Sequence, residues 1–406
     1  MKVDTMRKVD YFAGIPLCLL VSVALKVGRL FRPWQRQQPK EVLFVELSEM
    51  GSAILVDPAM RKMQRSGAEL FFVIFAKNAP SLRLLGTVPE ENVFTIREDG
   101  LIPLALTTLK FLWWARQRQI DTVIDLELFS RYSALLTGLS GANNRIGYHA
   151  FHNEGLYRGD MLTHKVAYNP HMHIAKNFIA LVNTALSDKE ELPYSKTLIG
   201  DEEIILEKVE FAEAALSPMR ERIREDYPAY NPQQHRIVLI NPNASELLVQ
   251  RRWMPERYVE LMKRLLKEYS DVLVLITGAP AEREEAQGLK SEVGSERCIN
   301  FAGRVKFAEL TQLYSISTLM VSNDSGPGHF SAVTNMPTFV LFGPETPALY
   351  GSLGNATPIY AGLACSPCVS ASNHRKTPCI DNVCLQVITV EQVFDTVRPV
   401  LETNKT

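Results

Sequence analysis

The stretch Val321-Ser-Asn-Asp-Ser-Gly-Pro-Gly-His-Phe-Ser-Ala-Val333 runs from a hydrophobic strand ending at Asn323 and Asp324, through a Ser-Gly-Pro-Gly turn, into a helix predicted to begin near His329. Small residues in such a turn let a ligand approach the main chain, and the start of a helix presents free N–H groups to an anion. Asp324, Ser325, Gly326, Gly328 and His329 are therefore candidate ligand contacts, with Ser325 and His329 able to donate to phosphate oxygens. The structural alternative is a plain strand–turn–helix connection.

Working outward, the same alternation recurs on both sides. Arg236–Ile240, Val272–Thr277, Thr318–Ser322 and Thr338–Phe342 read as strands, with helices over Pro255–Tyr269, Ala308–Ser315 and Thr389–Leu401. In the first half, Glu41–Leu47, Leu70–Phe75, Asn92–Ile96 and Thr122–Leu126 read as strands, with helices over Ala59–Arg65 and Ile102–Arg118. Strands alternating with helices predict parallel sheets covered by helices. The expected fold class is α/β: two doubly wound domains facing a cleft. The expected organisation is a basic apolar segment at 1–40, a first domain at 41–200, a linker at 201–235 containing a charged helix near Glu202–Glu225, a second domain at 236–388 and a closing helix and tail at 389–406. Arg145–Phe178, rich in Gly, His and Tyr, reads as a long functional loop rather than core.

The chain has 406 residues, 46% hydrophobic and 22% charged, which is ample for two domains and excludes disorder or a disulfide-stapled scaffold. A formal net charge of −1 argues against a nucleic-acid partner. The charge is uneven, however. Residues 1–40 hold eight Lys and Arg against Asp4 and Asp10, a surplus of six, so the remainder carries −7. The apolar run Tyr11–Leu25 within that segment is shorter than the roughly 20 residues a bilayer span needs, contains Pro16 and stops at Lys26. It is read as a monotopic membrane anchor, apolar side chains in the acyl boundary and cations toward anionic headgroups. The alternatives are a cleaved signal peptide and a helix packed on the protein's own core.

Asn323-Asp-Ser-Gly-Pro-Gly-His329, followed by Leu341-Phe-Gly-Pro344 and Thr346-Pro347, resembles the nucleotide-sugar motif of glycosyltransferase family 9, the heptosyltransferase family. Asn241-Pro-Asn-Ala-Ser245 with Arg251-Arg-Trp-Met-Pro255 resembles the family's second signature, and Val42–Pro58 its first βα turn. The resemblance implies two Rossmann-like domains of the GT-B type and inverting transfer from a nucleotide sugar with no required divalent metal. It implies a donor held by the C-terminal domain and an acceptor held by the N-terminal one. Asp324, Ser325, Gly326, Gly328 and His329 match positions along the donor diphosphate, with Asn243 and Ser245 beside them. Arg251 matches a basic position that would neutralise the departing diphosphate, and Arg252 could be a second clamp. Either arginine could instead be a solvated helix-start residue.

One half of the mechanism departs from the pattern. The family's first loop carries Ser-x-x-Gly-Asp, whose Asp is the expected general base; here it reads Ser48-Glu-Met-Gly-Ser52. A serine hydroxyl cannot take a proton at neutral pH without a base of its own. Glu49 is the favoured replacement, with Glu46 and Asp57 as further candidates, and Ser48, Gly51 and Ser52 shaping the loop toward the donor. Tyr148, Arg158 and His164 are candidate acceptor contacts. Cys365, Cys368, Cys379 and Cys384 are compatible with a structural zinc or iron–sulfur site, with disulfides, or with reduced packing thiols.

The expected activity is an inverting glycosyltransferase moving a sugar, heptose by resemblance, to a lipid-linked glycan or lipopolysaccharide-type acceptor. Its expected place is the cytoplasmic face of a bacterial inner membrane. The competing readings are a non-catalytic nucleotide-sugar-binding protein that lost the Asp, and a nucleotide-sugar epimerase.

Overall fold

The computed structural model describes residues 3–31, 33–128, 130–151, 156–244, 246–370 and 376–403. The chain divides into two compact units, one reaching Ile205 and the other starting at Leu206.

The first unit is built on β1 (Glu41–Val45), β2 (Glu69–Phe75), β3 (Val93–Ile96), β4 (Thr122–Asp125), β5 (Asn144–Tyr148) and β6 (His164–Val166). All are parallel, in the order β3-β2-β1-β4-β5-β6. Two helices, α1 (Val3–Phe12) and α2 (Gly14–Phe31), precede the sheet. The crossovers are α3 (Met50–Leu55) with α4 (Asp57–Arg65), α5 (Leu101–Gln117) and α6 (Arg131–Leu139), and α7 (Ile174–Leu186) follows β6. β1 and β2 are buried almost throughout, as parallel strands covered on both faces must be. Leu43, Val45, Phe71, Val73 and Val123 form one core with Phe111 and Ala115 of α5 and Leu136 of α6, so α5 and α6 cover the same face of the sheet.

The second unit opens with α8 (Glu213–Asp226) and continues through β7 (Arg236–Asn241), α9 (Pro255–Glu268), β8 (Val272–Ile276), α10 (Arg283–Val293) and β9 (Cys298–Asn300). It goes on through α11 (Leu310–Ser315), β10 (Leu319–Asn323), α12 (Gly326–Ser331), β11 (Thr338–Phe342), α13 (Pro347–Tyr350) and β12 (Ala356–Tyr360), and closes with α14 (Val383–Gln386) and α15 (Val390–Thr403). Its parallel order, β12-β11-β10-β7-β8-β9, repeats that of the first sheet when counted from its own first strand. In such sheets the strand order reverses between the first and fourth strands, and ligands bind outside the carboxyl ends there. Those points fall at β1/β4 and β7/β10.

Three expectations are corrected. Residues 145–178 are not a long loop: they contain β5, β6 and the start of α7. The guanidinium of buried Arg145 donates to the carbonyls of Met161 (2.7 Å) and Ala142 (2.6 Å), so its charged end is satisfied inside the fold. The helix expected near Glu202–Glu225 begins at Glu213, after a short 3-10 turn at Asp201–Ile204. The helix after Asp324 begins at Gly326, not near His329, because Pro327 suits a first helical turn.

The N-terminal helix also runs past Lys26 to Phe31. Over its 18 residues α2 is long and apolar enough to cross a membrane, with Pro16 confined to its first turn. It packs a stripe of small residues, Gly14, Cys18 and Ser22, on α6 and on the chain at Gly159. A Cβ on Gly14 would lie 2.8 Å from the Arg131 side chain, so only glycine permits that approach.

Candidate active site

At the β7/β10 edge, Asn323 ties the carboxyl ends together. Its side-chain carbonyl accepts from the Trp253 main chain (3.0 Å) and the Tyr258 hydroxyl (2.9 Å), and its amide donates to the Pro242 carbonyl (2.6 Å). Trp253 and Tyr258 are fully buried and meet edge to face at 4.9 Å, which fixes the turn that carries Arg251. Arg251 comes to lie between two buried carboxylates. Its Nε is 3.4 Å from Asp324 Oδ2, and its fork meets Glu345.

This cluster is only partly satisfied. Arg251 Nε and Asp324 Oδ2 face each other without making a hydrogen bond, and the side-chain carbonyl of Asn243, 4% exposed, has no hydrogen-bond partner. Buried polar atoms left in this state mark a place where a ligand completes the network. Burial, opposed by Arg251 and reinforced by Asp324, pushes the Glu345 carboxyl up to about 8, so at neutral pH it is protonated. Burial works against the Arg251 charge, yet Asp324 and Glu345 raise its pKa.

Ser325 caps α12 in extended conformation without a side-chain capping bond, its hydroxyl donating to the Asn323 carbonyl at 3.2 Å. Buried His329 lies 3.3 Å from the Ser352 hydroxyl through Nδ1. Gly326 and Gly328 answer to packing: a Cβ on Gly326 would meet the Phe330 ring at 2.8 Å, and one on Gly328 would meet Ser352 and Val340 at just over 3 Å. Arg252 turns its Nε and one terminal nitrogen onto the Ala244 carbonyl. Ser245 lies outside the described residues.

The β1/β4 edge is finished differently. One oxygen of Glu127 accepts three hydrogen bonds, from the main chain of Leu47 (3.0 Å) and Ser48 (3.2 Å) and from the Ser48 hydroxyl (2.9 Å). Asp125 accepts from the Glu127 main chain and from Ser133, and pairs with Arg158. Burial pushes Asp125 up to about 6 in spite of Arg158. Glu49 is the N-cap residue of α3 and half-buried, with Gly51 and Ser52 in the helix's first turn. Asp57, the rival base, is fully buried and committed to Arg61 (2.8 Å) and Thr87. Glu46 is also buried.

Of the residues expected on the acceptor side, Tyr148 ends β5 at the carboxyl edge, and its buried hydroxyl has no hydrogen-bond partner. Burial holds that phenol well above its usual range. Arg158 instead braces the fold, donating to the carbonyls of Ser130 (2.9 Å) and Glu127 (2.6 Å) and to Asp125 and Ser133. His164 starts β6, at the amino edge, between the rings of Trp34 and Tyr194; burial, with Arg36 and Arg145, lowers it to about 4 and keeps it neutral. Neither of these two is placed for an acceptor. Among the described residues no disulfide joins the four clustered cysteines, and no set of three or more metal-ligating side chains is gathered. Sequence reasoning passed over Glu345 and Glu127. The first fell between two fragments quoted above, Leu341–Pro344 and Thr346-Pro347; no sequence signal marks the second.

Residues 111–377 match the family model for glycosyltransferase family 9 (heptosyltransferase). The chain is 32% identical over 99 residues to lipooligosaccharide heptosyltransferase 2 of Haemophilus influenzae, a match that covers 24% of this chain and only 28% of that protein. In structure it resembles ADP-heptose lipopolysaccharide heptosyltransferase II of E. coli, with a TM-score of 0.65 at 20% identity, covering 90% of this chain and 100% of the other. It also resembles the E. coli heptosyltransferase WaaC with ADP, with a TM-score of 0.60 at 19% identity, covering 89% and 99%. The chain belongs to glycosyltransferase family 9.

Proposed function

We propose that this family 9 member is an inverting glycosyltransferase that moves heptose from an ADP-linked donor to a lipid-linked or lipopolysaccharide-type acceptor. The reading rests on one observation above the others: the incompletely bonded Arg251–Asp324 pair at the switch point of the second sheet, with the unpartnered Asn243 carbonyl just beyond the end of β7. Relatives named as heptosyltransferases, one of them holding ADP, support the choice of sugar and nucleotide.

In this proposal Glu49 takes the proton of the acceptor hydroxyl; it stands half-buried at the start of α3, whereas the other two candidate carboxylates, Glu46 and Asp57, are buried. The hydroxyl oxygen attacks the anomeric carbon as the bond to the diphosphate breaks on the opposite side, which inverts the configuration. Arg251 and the main chain around Ser325–Gly328 take up charge developing on the leaving diphosphate. Asp324 orients Arg251 and faces the sugar. No metal or cofactor takes part. The basic, apolar residues 1–40 hold the enzyme at the cytoplasmic face of the inner membrane, where an amphiphilic acceptor resides.

A thermal-shift panel of ADP, UDP, GDP, CMP and their sugar conjugates tests the donor half, because a ligand bound only by the folded state raises its stability by mass action. The expected result is a shift selective for ADP and ADP-heptose that disappears in Asp324→Ala. Silence across the panel at saturating concentrations sinks the reading. Ser52 in place of the family's Asp favours a second reading, a binding protein without turnover. A nucleotide shift with no glycosylated product across lipid acceptors would establish that one.

A further inference from the structure

Helix α5 carries apolar side chains on its outer face as well as its inner one. Leu104, Phe111, Leu112, Trp114 and Ala115 face the core, yet Ile102, Leu106, Leu109 and Trp113 are 74%, 55%, 65% and 64% exposed. Their spacing places them in one stripe along the helix. A helix with apolar side chains on both faces is normally buried, so this stripe lacks its partner. The outer face of α2 shows the same condition, with Leu20, Val23, Val27 and Leu30 exposed.

The two stripes belong to one side of the first unit. α5 and α6 cover the same sheet face, and α1 and α2 pack on α6. Asp10 of α1 accepts from the main chain of Arg131 and Tyr132, while Met6 packs on the core that holds Leu104. The Tyr132 hydroxyl of α6 bonds Thr108 of α5. Neither α2 nor α5 contains an Asp or Glu, and their charged residues are Lys26, Arg29, Lys110 and Arg116. The neighbouring acids are already neutralised: Asp160 sits between Lys26 and Lys165 at 2.7 Å each, and Asp99 pairs with Arg97.

We propose that the outer stripes of α2 and α5 together form a docking face for an anionic lipid bilayer, so that the first unit sits on the membrane at two helices instead of hanging from one. The apolar stripes enter the acyl boundary, the cations meet headgroup phosphates, and Trp113 lies at the interface that suits an indole. This rests on the membrane-associated reading above, but adds a contact on a crossover helix of the first sheet, beyond the N-terminal segment.

Co-sedimentation of the full chain with phosphatidylethanolamine–phosphatidylglycerol vesicles, about one lipid in four anionic, tests it against phosphatidylcholine vesicles. Leu109→Glu/Trp113→Glu alters only exposed side chains and should keep the wild-type melting temperature and nucleotide shift. Its partitioning should fall about tenfold or more, as should that of Leu20→Glu/Val27→Glu. If the α5 pair binds like wild type while the α2 pair does not, the α5 face is refuted and the N-terminal anchor stands. If neither pair changes binding, both fail. Equal binding of the wild type to phosphatidylcholine, or an α5 pair that splits a dimer without changing sedimentation, also overturns the proposal.

Discussion

At the carboxyl edge of the first sheet, the Arg158 guanidinium meets Asp125 and the main chain of Glu127; at the same place in the second, Arg251 meets Asp324 and Glu345. Strand order is the same in both, and so is the chemistry of the groups. What differs is completion. Glu127 and Arg158 spend their hydrogen bonds on the protein, locking the loop that carries Ser48. Arg251 Nε and Asp324 Oδ2 are ion-paired at 3.4 Å without a hydrogen bond, and the buried side-chain carbonyl of Asn243, just beyond the end of β7, has no hydrogen-bond partner. The same inventory makes a strut where the fold satisfies it and a receptor where it does not.

Removing each arginine tests that contrast most severely. Arg251→Ala and Arg158→Ala each strip the counterion from a buried carboxylate, and chemical denaturation should show losses of about 3–5 kcal/mol for each. The nucleotide shift should vanish only in Arg251→Ala. A loss of nucleotide binding in Arg158→Ala as well would erase the distinction. Next in size, Glu49→Gln should lower kcat by about 10²- to 10⁴-fold with donor affinity unchanged, seen by comparing turnover with the thermal shift.

Glu345 sharpens the comparison through pH. Its folded pKa is raised, so its contribution to stability is complete below about 4.5 and is lost as pH rises through about 8. Above pH 8 Glu345 becomes an anion beside Arg251, and donor affinity should fall about three- to tenfold between pH 7 and 9. A calorimetric pH series should show that fall in the wild type and a flat profile in Glu345→Gln. Smallest is Ser48→Ala, which removes the 2.9 Å bond to Glu127 and should cost about 0.5–1.5 kcal/mol in a denaturant titration, with nucleotide affinity untouched.

Much of the fold was legible because strands buried on both faces are unbroken apolar runs, as in Val272–Ile276 and Thr338–Phe342. β5 and β6 were not, since Asn-Arg-Ile-Gly-Tyr and His-Lys-Val look polar. Their burial depends on bonds made across the fold, such as Arg145 to Met161. The candidate site divides in the same way. Asp324 and Arg251 stand in contiguous motifs, whereas Glu345 acquires its meaning only against Arg251, 94 residues away, and Glu127 only against Ser48, 79 residues away.

Asp10 deserves a practical reading. Trimming the chain at residue 40 to gain solubility would remove the carboxylate that binds the first main-chain N–H groups of α6 and pairs with Arg131 at 3.1 Å, and with it the small-residue stripe on α2. It would also cut the strap at 34–37, whose Trp34 donates to Asn143 and whose main-chain oxygens hold Asn143 and Asn144. A shortened protein would trade one greasy surface for another. Mild detergent or nanodiscs are the better route to handling the intact molecule.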